Sequence, residues 1–184
     1  MTQAPAAPTM TPDQALAARD VAMQSMGTIR WLTMRLIENL TIEQWLHQVA
    51  DGANHIMFNI GHIACTDEAF LRAAGGASQA VPASYTDLFQ AGRQPSPRPA
   101  DYPPPEEVVG VLQQIRQQLT THLAGLPAEQ LLAPLQNEGL RNIVPTLAHL
   151  PGFITLHEAS HSGQILLIRR TLGLPGVLGQ APAE

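Results

Sequence analysis

Three histidines in this 184-residue chain have the residue type and spacing to hold a metal ion. His157 and His161 stand four residues apart in "LHEASHSGQILLIRR", so on a helix both imidazoles project from one stripe. His62, in "NIGHIACTDEAFL", stands at the edge of the apolar side of another helical segment. Three imidazole ligands would leave coordination positions open to water or substrate, which is typical of a catalytic rather than a structural metal site.

Polar residues near these histidines are candidate contacts of the metal ligands or of a substrate. They are Asn59, Thr66, Glu158 and Gln164. A bound zinc, nickel or iron ion would lower the pKa of a coordinated water or thiol toward neutrality and so create a nucleophile. The metal-bound water is the expected reactive group, whereas the pattern identifies neither a catalytic side chain nor a substrate.

Residues 157–161 also match H-E-x-x-H, the helix signature of zinc peptidases. The long form of that signature needs a glycine and a histidine where this chain has Gln164 and Leu167. The other form needs a glutamate on a following helix, but Glu184 is the only acidic residue after Glu158. Because the five-letter pattern is a weak signal by itself, we do not expect a peptidase.

The remaining histidines and the single cysteine have simpler interpretations. His47 and His149 are expected to be exposed or merely packed, and His122 to be a hydrogen-bonded core residue. Cys65 is more typical of a small buried residue than of a soft metal ligand. A comparable alternative applies to the three clustered histidines: they can brace the core of a non-catalytic dimeric bundle, with or without metal.

Four long segments with helical periodicity must position the histidines, and no run alternates with a period of two. They cover residues 12–40, 53–74, 106–124 and 145–172. Thr11 and Gln14 predict a capping box at the start of the first segment. Pro151 predicts a kink in the fourth segment or a helix that begins near it.

The connections between these segments predict the fold class. A proline-rich stretch of about thirty residues follows the second segment and is long enough to recross a helix. We therefore expect an all-α four-helix bundle in which a long crossover joins the second and third of the long helices. Short helical pieces are expected at 41–48, 85–92 and 127–135. We expect one domain over residues 11–175, with a disordered N-terminal tail at 1–10 and a C-terminal tail at 176–184.

Two sets of side chains are predicted to fill the core. Val108, Leu112, Ile115, Leu119 and Leu126 form the apolar seam of the third segment, and Met23, Met26, Trp31 and Met34 pack from the first.

Composition excludes several classes of function. A net charge of −5 without a basic cluster argues against nucleic acid as a partner. None of the ten basic residues is lysine, which rules out Schiff-base chemistry and a phosphate-loop lysine. A single cysteine excludes an internal disulfide and fits a reducing cytoplasm. No secretory leader or membrane span is expected, so we predict a cytoplasmic protein.

The motifs around the histidines resemble the DinB/YfiT-like superfamily. The resemblance is carried by a G-H-hydrophobic motif at residues 61–63 and by H-x-x-x-H-x-G-Q-I at residues 157–165. The pieces "EQWL", "YTDLFQAGR" and "LPAEQLLAPL" extend it over nearly the whole chain after the N-terminal tail. It implies a bundle of up-down-down-up order, often dimeric, with a divalent metal held by three histidines. Residue by residue, His62, His157 and His161 match those ligands.

The same resemblance implies a class of function. Characterised relatives use the metal for thiol-dependent transfer or isomerisation, and some are described as metal-dependent hydrolases. The expectation is a homodimeric enzyme that acts on a small molecule with a low-molecular-weight thiol, through a zinc, nickel or iron ion. Pro151 departs from the family pattern, since a proline is unusual in the helix that carries two of the ligands.

Overall fold

The computed structural model describes residues 9–135 and 137–177, and this part of the chain is all-α, without a β-strand. Its helices are α1 (Pro12–Leu36), α2 (Ile42–Trp45), α3 (Ile56–Ala73), α4 (Tyr85–Phe89), α5 (Pro105–Gly125), α6 (Ala128–Leu131), α7 (Glu138–Arg141) and α8 (Leu150–Thr171). Two 3-10 turns lie at Pro99–Asp101 and Leu147–His149. Residues 1–8 and 178–184, which make up most of the two predicted tails, lie outside the described residues.

The four long helices are those that the periodicity predicts, namely α1, α3, α5 and α8, with adjusted ends. The capping box of α1 is confirmed: Thr11 Oγ1 accepts from the backbone N–H of Gln14 at 3.3 Å, and Gln14 Oε1 accepts from that of Thr11 at 2.9 Å. α1 ends four residues earlier than predicted, and the chain turns away through Asn39, which has a φ of 57°. α2, α4 and α6 confirm the predicted short helices, whereas α7 was not predicted.

Pro151 decides where α8 begins. The predicted start at residue 145 is wrong, because the 3-10 turn Leu147–His149 precedes the helix and α8 begins at Leu150. Pro151 therefore lies in the first turn, where a missing backbone N–H leaves no helical hydrogen bond unmade. Of the two predicted outcomes, a kink or a nearby helix start, the structure confirms the second.

The long helices surround one hydrophobic core. α1 packs against α8, and α3 packs against both α5 and α8. The predicted seam of the third long helix is buried throughout, and Met26 is buried on α1. Trp31 contradicts the predicted core, since it is 54% exposed. It lies two residues before the buried Thr33, about 160° away around the helix, and so faces outward. The up-down-down-up order of the helices stays a prediction.

Each long helix also contributes one charged side chain to a buried cluster, called here the charge cluster: Arg30, Asp67, Arg116 and Glu158. Arg116 Nε and Nη2 donate to Asp67 at 2.8 and 2.9 Å, and Nη2 also lies 2.7 Å from Glu158 Oε2. Arg30 Nε donates to Glu158 at 2.8 Å, and its Nη2 lies 3.2 Å from an oxygen of each acid. Asp67 and Glu158 are fully buried. Each acid therefore contacts both arginines.

Burial and ion pairing oppose each other in the charge cluster. Burial raises the pKa of Asp67, although Arg116 and Arg30 act against that rise. Burial also acts to raise the pKa of Glu158, but pairing with Arg30 and Arg116 outweighs it, so the pKa of Glu158 is lowered. Two acids and two arginines balance only while all four are present, because losing one leaves an unpaired charge in the core.

Asp67→Asn is expected to lower the free energy of unfolding by about 3–5 kcal/mol, because it leaves Arg30 and Arg116 to share one carboxylate inside the protein. Urea denaturation followed by circular dichroism measures this loss. Asp87→Asn is the matched control: Asp87 pairs with Arg93 but its side chain is 80% exposed, so the change should stay below about 0.5 kcal/mol. Equal losses in the two variants would show that the charge cluster does not stabilise the fold.

Candidate metal centre

His62 from α3 and the pair His157 and His161 from α8 meet in one cluster, called here the histidine cluster. One nitrogen from each residue lies within 4.8 Å of the others. Nε2 of His157 and Nε2 of His161 are 3.3 Å apart. The ring centroid of His62 lies 5.4 Å from that of His157 and 4.9 Å from that of His161. The structure thus brings together the three histidines that the spacing singled out.

Hydrogen bonds to fixed acceptors orient two of the three rings. His62 Nδ1–H donates to the carbonyl of Phe89 at 2.9 Å, and His161 Nδ1–H donates to Asn59 Oδ1 at 2.8 Å. Asn59 is itself held, because its Nδ2 donates to the carbonyl of His55 at 3.2 Å. Since these acceptors take the Nδ1 protons, the Nε2 atoms of His62 and His161 carry lone pairs toward the cluster.

The nitrogens of the histidine cluster fit a divalent metal ion. Burial, with the neighbouring imidazoles, lowers the pKa of His157 to about 4 and that of His161 to about 3. Both imidazoles are therefore neutral at neutral pH and have a lone pair for a metal ion. Two nitrogens bound tetrahedrally to one zinc ion at about 2.1 Å lie about 3.4 Å apart. The 3.3 Å between the two Nε2 atoms of α8 matches that separation. Zinc, nickel and iron all accept imidazole ligands.

Gly61 on α3 allows the crossover, the segment between α3 and α5, to pack close to the histidine cluster. A Cβ atom on Gly61 would lie 2.4 Å from ring atoms of Phe89, which is fully buried. The absence of that Cβ allows α4 to pack on α3, and the Phe89 carbonyl then orients His62. Sequence reasoning missed Phe89, although a glycine within a helical run is the signal for a close approach.

The predicted helper residues Asn59 and Thr66 lie beside the histidine cluster. Asn59 is buried and holds His161, as described above. Thr66 Oγ1 donates to the carbonyl of His62 at 2.8 Å and lies 3.4 Å from His62 Nε2. A threonine hydroxyl at that position is within reach of a molecule that approaches His62.

The other two predicted helpers lie elsewhere. Both carboxylate oxygens of Glu158 accept from arginines in the charge cluster, so this residue contacts neighbouring helices rather than the imidazoles. Gln164 is exposed, and its Oε1 accepts from Asn54 Nδ2 at 3.3 Å. The structure does not bring Gln164 into the histidine cluster.

The residues given simpler interpretations are placed accordingly. His122 Nε2 donates to the carbonyl of Ala74 at 2.9 Å, which confirms a satisfied, partly buried histidine. His149 is partly buried and contacts Thr146. Cys65 is outside the histidine cluster, and burial raises the pKa of its thiol to about 12. A thiol with so high a pKa is neither a ready ligand nor a nucleophile at neutral pH.

Two cavities meet at His62. One, of about 830 Å³, runs along α3 and is lined on its other side by residues between 78 and 91 of the crossover. The other, of about 460 Å³, is lined by His62 and His161 and by residues 91–94. The histidine cluster is therefore open to small molecules from the crossover side.

Gly61→Ala is expected to displace Phe89 and with it the acceptor of His62. The melting temperature should fall, and the affinity for metal should fall about 10- to 100-fold, as for other changes to groups that orient ligands. Thermal denaturation and metal titration measure the two effects. Gly163→Ala on α8 is the matched control, since a Cβ there meets nothing within 4 Å and should stabilise the helix slightly. Equal metal affinity in the two variants would contradict this role of Gly61.

The metal-free protein is expected to lose stability as the pH falls. The unfolded chain binds protons on histidine near pH 6.5, whereas the folded protein resists until about pH 4 at His157 and about pH 3 at His161. Their contribution is therefore complete above pH 6.5 and declines between pH 6.5 and 3. Urea denaturation at several pH values should show a shallower decline for the double variant His157→Gln, His161→Gln. An unchanged decline would mean that other groups cause it.

Within the described residues, no helix combines the length and apolarity needed to cross a membrane.

No match was found among curated proteins or solved structures. A family model, that of the DinB superfamily, matches residues 28–165, a range that includes His62, His157 and His161. The match covers well over half of the chain, and the chain therefore belongs to the DinB superfamily.

Proposed function

We propose that this protein is a metal-dependent enzyme that binds one zinc, nickel or iron ion through His62, His157 and His161 and acts as a thiol-dependent transferase or a hydrolase. The observation that carries the proposal is the approach of three imidazole nitrogens within 4.8 Å, with two rings held so that Nε2 faces inward. Three protein ligands and adjoining cavities leave room for a small molecule at the ion. That combination favours chemistry over a purely structural role.

The ion would act as a Lewis acid that lowers the pKa of a bound water or thiol. The side chains of this protein have supporting roles: the three histidines hold the ion, while Asn59 and the Phe89 carbonyl keep two rings in register. Thr66 Oγ1, 3.4 Å from His62 Nε2, is placed to hydrogen-bond a substrate atom near the ion.

Among the described residues, neither a thiolate nor a lysine amine lies beside the histidine cluster. Cys65 lines the larger cavity but stays protonated, because burial raises the pKa of its thiol to about 12. The chain has no lysine. The nucleophile would then come from outside the protein, which supports water or a low-molecular-weight thiol as the second reactant.

We further propose an up-down-down-up bundle that forms a homodimer in the cytoplasm. Exposed apolar side chains support the dimer: Trp31 is 54%, Leu156 64% and Leu167 51% exposed. Leu156 and Leu167 stand eleven residues apart, about 20° from one another around α8, so they lie on the same exposed face of that helix. A single cysteine supports a reducing compartment.

His161→Ala tests the metal centre. Protein purified without chelators from medium containing zinc, nickel and iron should carry about one ion per chain, and the variant should lose it, because two imidazoles remain. Elemental analysis measures the content, and the metal-loaded protein is then assayed for consumption of a low-molecular-weight thiol. His47→Ala, outside the histidine cluster, should keep its metal.

Two results would oppose the proposal. Wild-type protein without metal under these conditions would contradict a metal-dependent enzyme. A melting temperature that collapses in His161→Ala, in a protein with no activity to lose, would favour the non-catalytic bundle in which the histidines brace the core. A variant that loses metal and keeps its fold supports a site built for chemistry.

A further inference from the structure

The larger cavity extends from His62 along one side of α3. The crossover lines its outer side, and from α3 it is lined by His62, Cys65, Thr66, Glu68, Ala69 and Arg72. Its volume of about 830 Å³ can hold a molecule much larger than water. A ligand that meets the metal centre at His62 can therefore continue along α3 toward Glu68 and Arg72.

Glu68 lines this cavity and is a buried acid with an unused acceptor. Its side chain is only 10% exposed, and its Oε2 accepts from Arg72 at 2.6 Å. Its Oε1 is buried and has no hydrogen-bond partner within residues 9–135 and 137–177. Buried polar atoms normally have a partner, because an unpaired one forfeits its hydration without compensation. A ligand that donates a hydrogen bond to Glu68 would supply the missing partner.

The charges at this end of the cavity favour a ligand group that donates hydrogen bonds over a ligand group that is acidic. Among the described residues that line the cavity, Arg72 is the one cation, but its side chain is 62% exposed and already paired with Glu68. Exposed, hydrated ion pairs add little affinity. A buried carboxylate oxygen gains more from a charged donor. The ligand group that this site rewards most is thus a cation with N–H bonds.

We propose that this cavity binds the substrate of the metal centre, and that the substrate carries a primary amine whose N–H group donates to Glu68. Glu68 follows His62 by six residues, so the amine lies about 9 Å along α3 from the metal-binding end of the ligand. The inference rests on the proposed function, because it takes the histidine cluster as the position of the reactive group.

A series of thiols with different far ends tests the proposal on the cobalt-loaded full-length protein. A thiolate bound to cobalt gives a charge-transfer absorption band, which reports binding at the metal. 6-Aminohexane-1-thiol has a chain long enough to reach Glu68, 6-mercaptohexan-1-ol has the same length without a charge, and 2-aminoethanethiol is too short. The test variant is Glu68→Gln. The control variant is Glu43→Gln on α2, which also removes one carboxylate but from an exposed position outside the cavity.

The wild-type protein should bind the long amine about tenfold more tightly than the long alcohol. That preference should disappear in Glu68→Gln and persist in Glu43→Gln. The affinity for the short amine should be the same in Glu68→Gln as in the wild type. Equal affinities for the long amine and alcohol in the wild type, or a preference that survives in Glu68→Gln, would overturn the amine site while the metal centre stands. No absorption band with any thiol would overturn the thiol-dependent form of the proposed function and this inference with it.

Discussion

The buried charge cluster is the constraint on which the rest of the structure depends. Apolar side chains such as those of the α5 seam tolerate small slides of one helix along another, whereas forked arginine–carboxylate pairs do not. Arg30, Asp67, Arg116 and Glu158 come from all four long helices, and each acid contacts both arginines. The cluster therefore fixes the axial position of each helix against the other three.

This fixed register is what aligns the histidines. Glu158 directly follows His157 on α8, and Asp67 lies five residues after His62 on α3. The two helices that supply the histidine cluster are thus held through their acids by the same pair of arginines. On the crossover side a second set of contacts acts on the rings themselves, since Gly61 admits Phe89 and the Phe89 carbonyl orients His62.

Local signals in the sequence predicted much of this arrangement, and long-range contacts account for what they missed. The i, i+4 spacing placed His157 and His161 on one side of a helix, and Thr11 and Pro151 marked helix starts, because these effects act within one or two turns. The charge cluster was not predicted, since an arginine such as Arg30 in a helix looks the same whether it faces water or a buried acid. Trp31 failed for a related reason: its apolar character favours burial, but its angle around α1 points it outward. Phe89 lies in the crossover, and Glu68 lines a cavity that the crossover helps to form, and periodicity does not describe the path of that segment.

The acceptors behind the rings have an electronic consequence. His62 and His161 donate to a backbone carbonyl and to an amide oxygen, where many histidine ligands donate to a carboxylate. A neutral acceptor polarises the Nδ1–H bond less than a carboxylate does, so the imidazole is a weaker electron donor to a metal ion. An ion held by the histidine cluster, two of whose rings have such neutral acceptors, would keep more of its positive charge. It would then be more electrophilic and would attract anionic reactants from the crossover side.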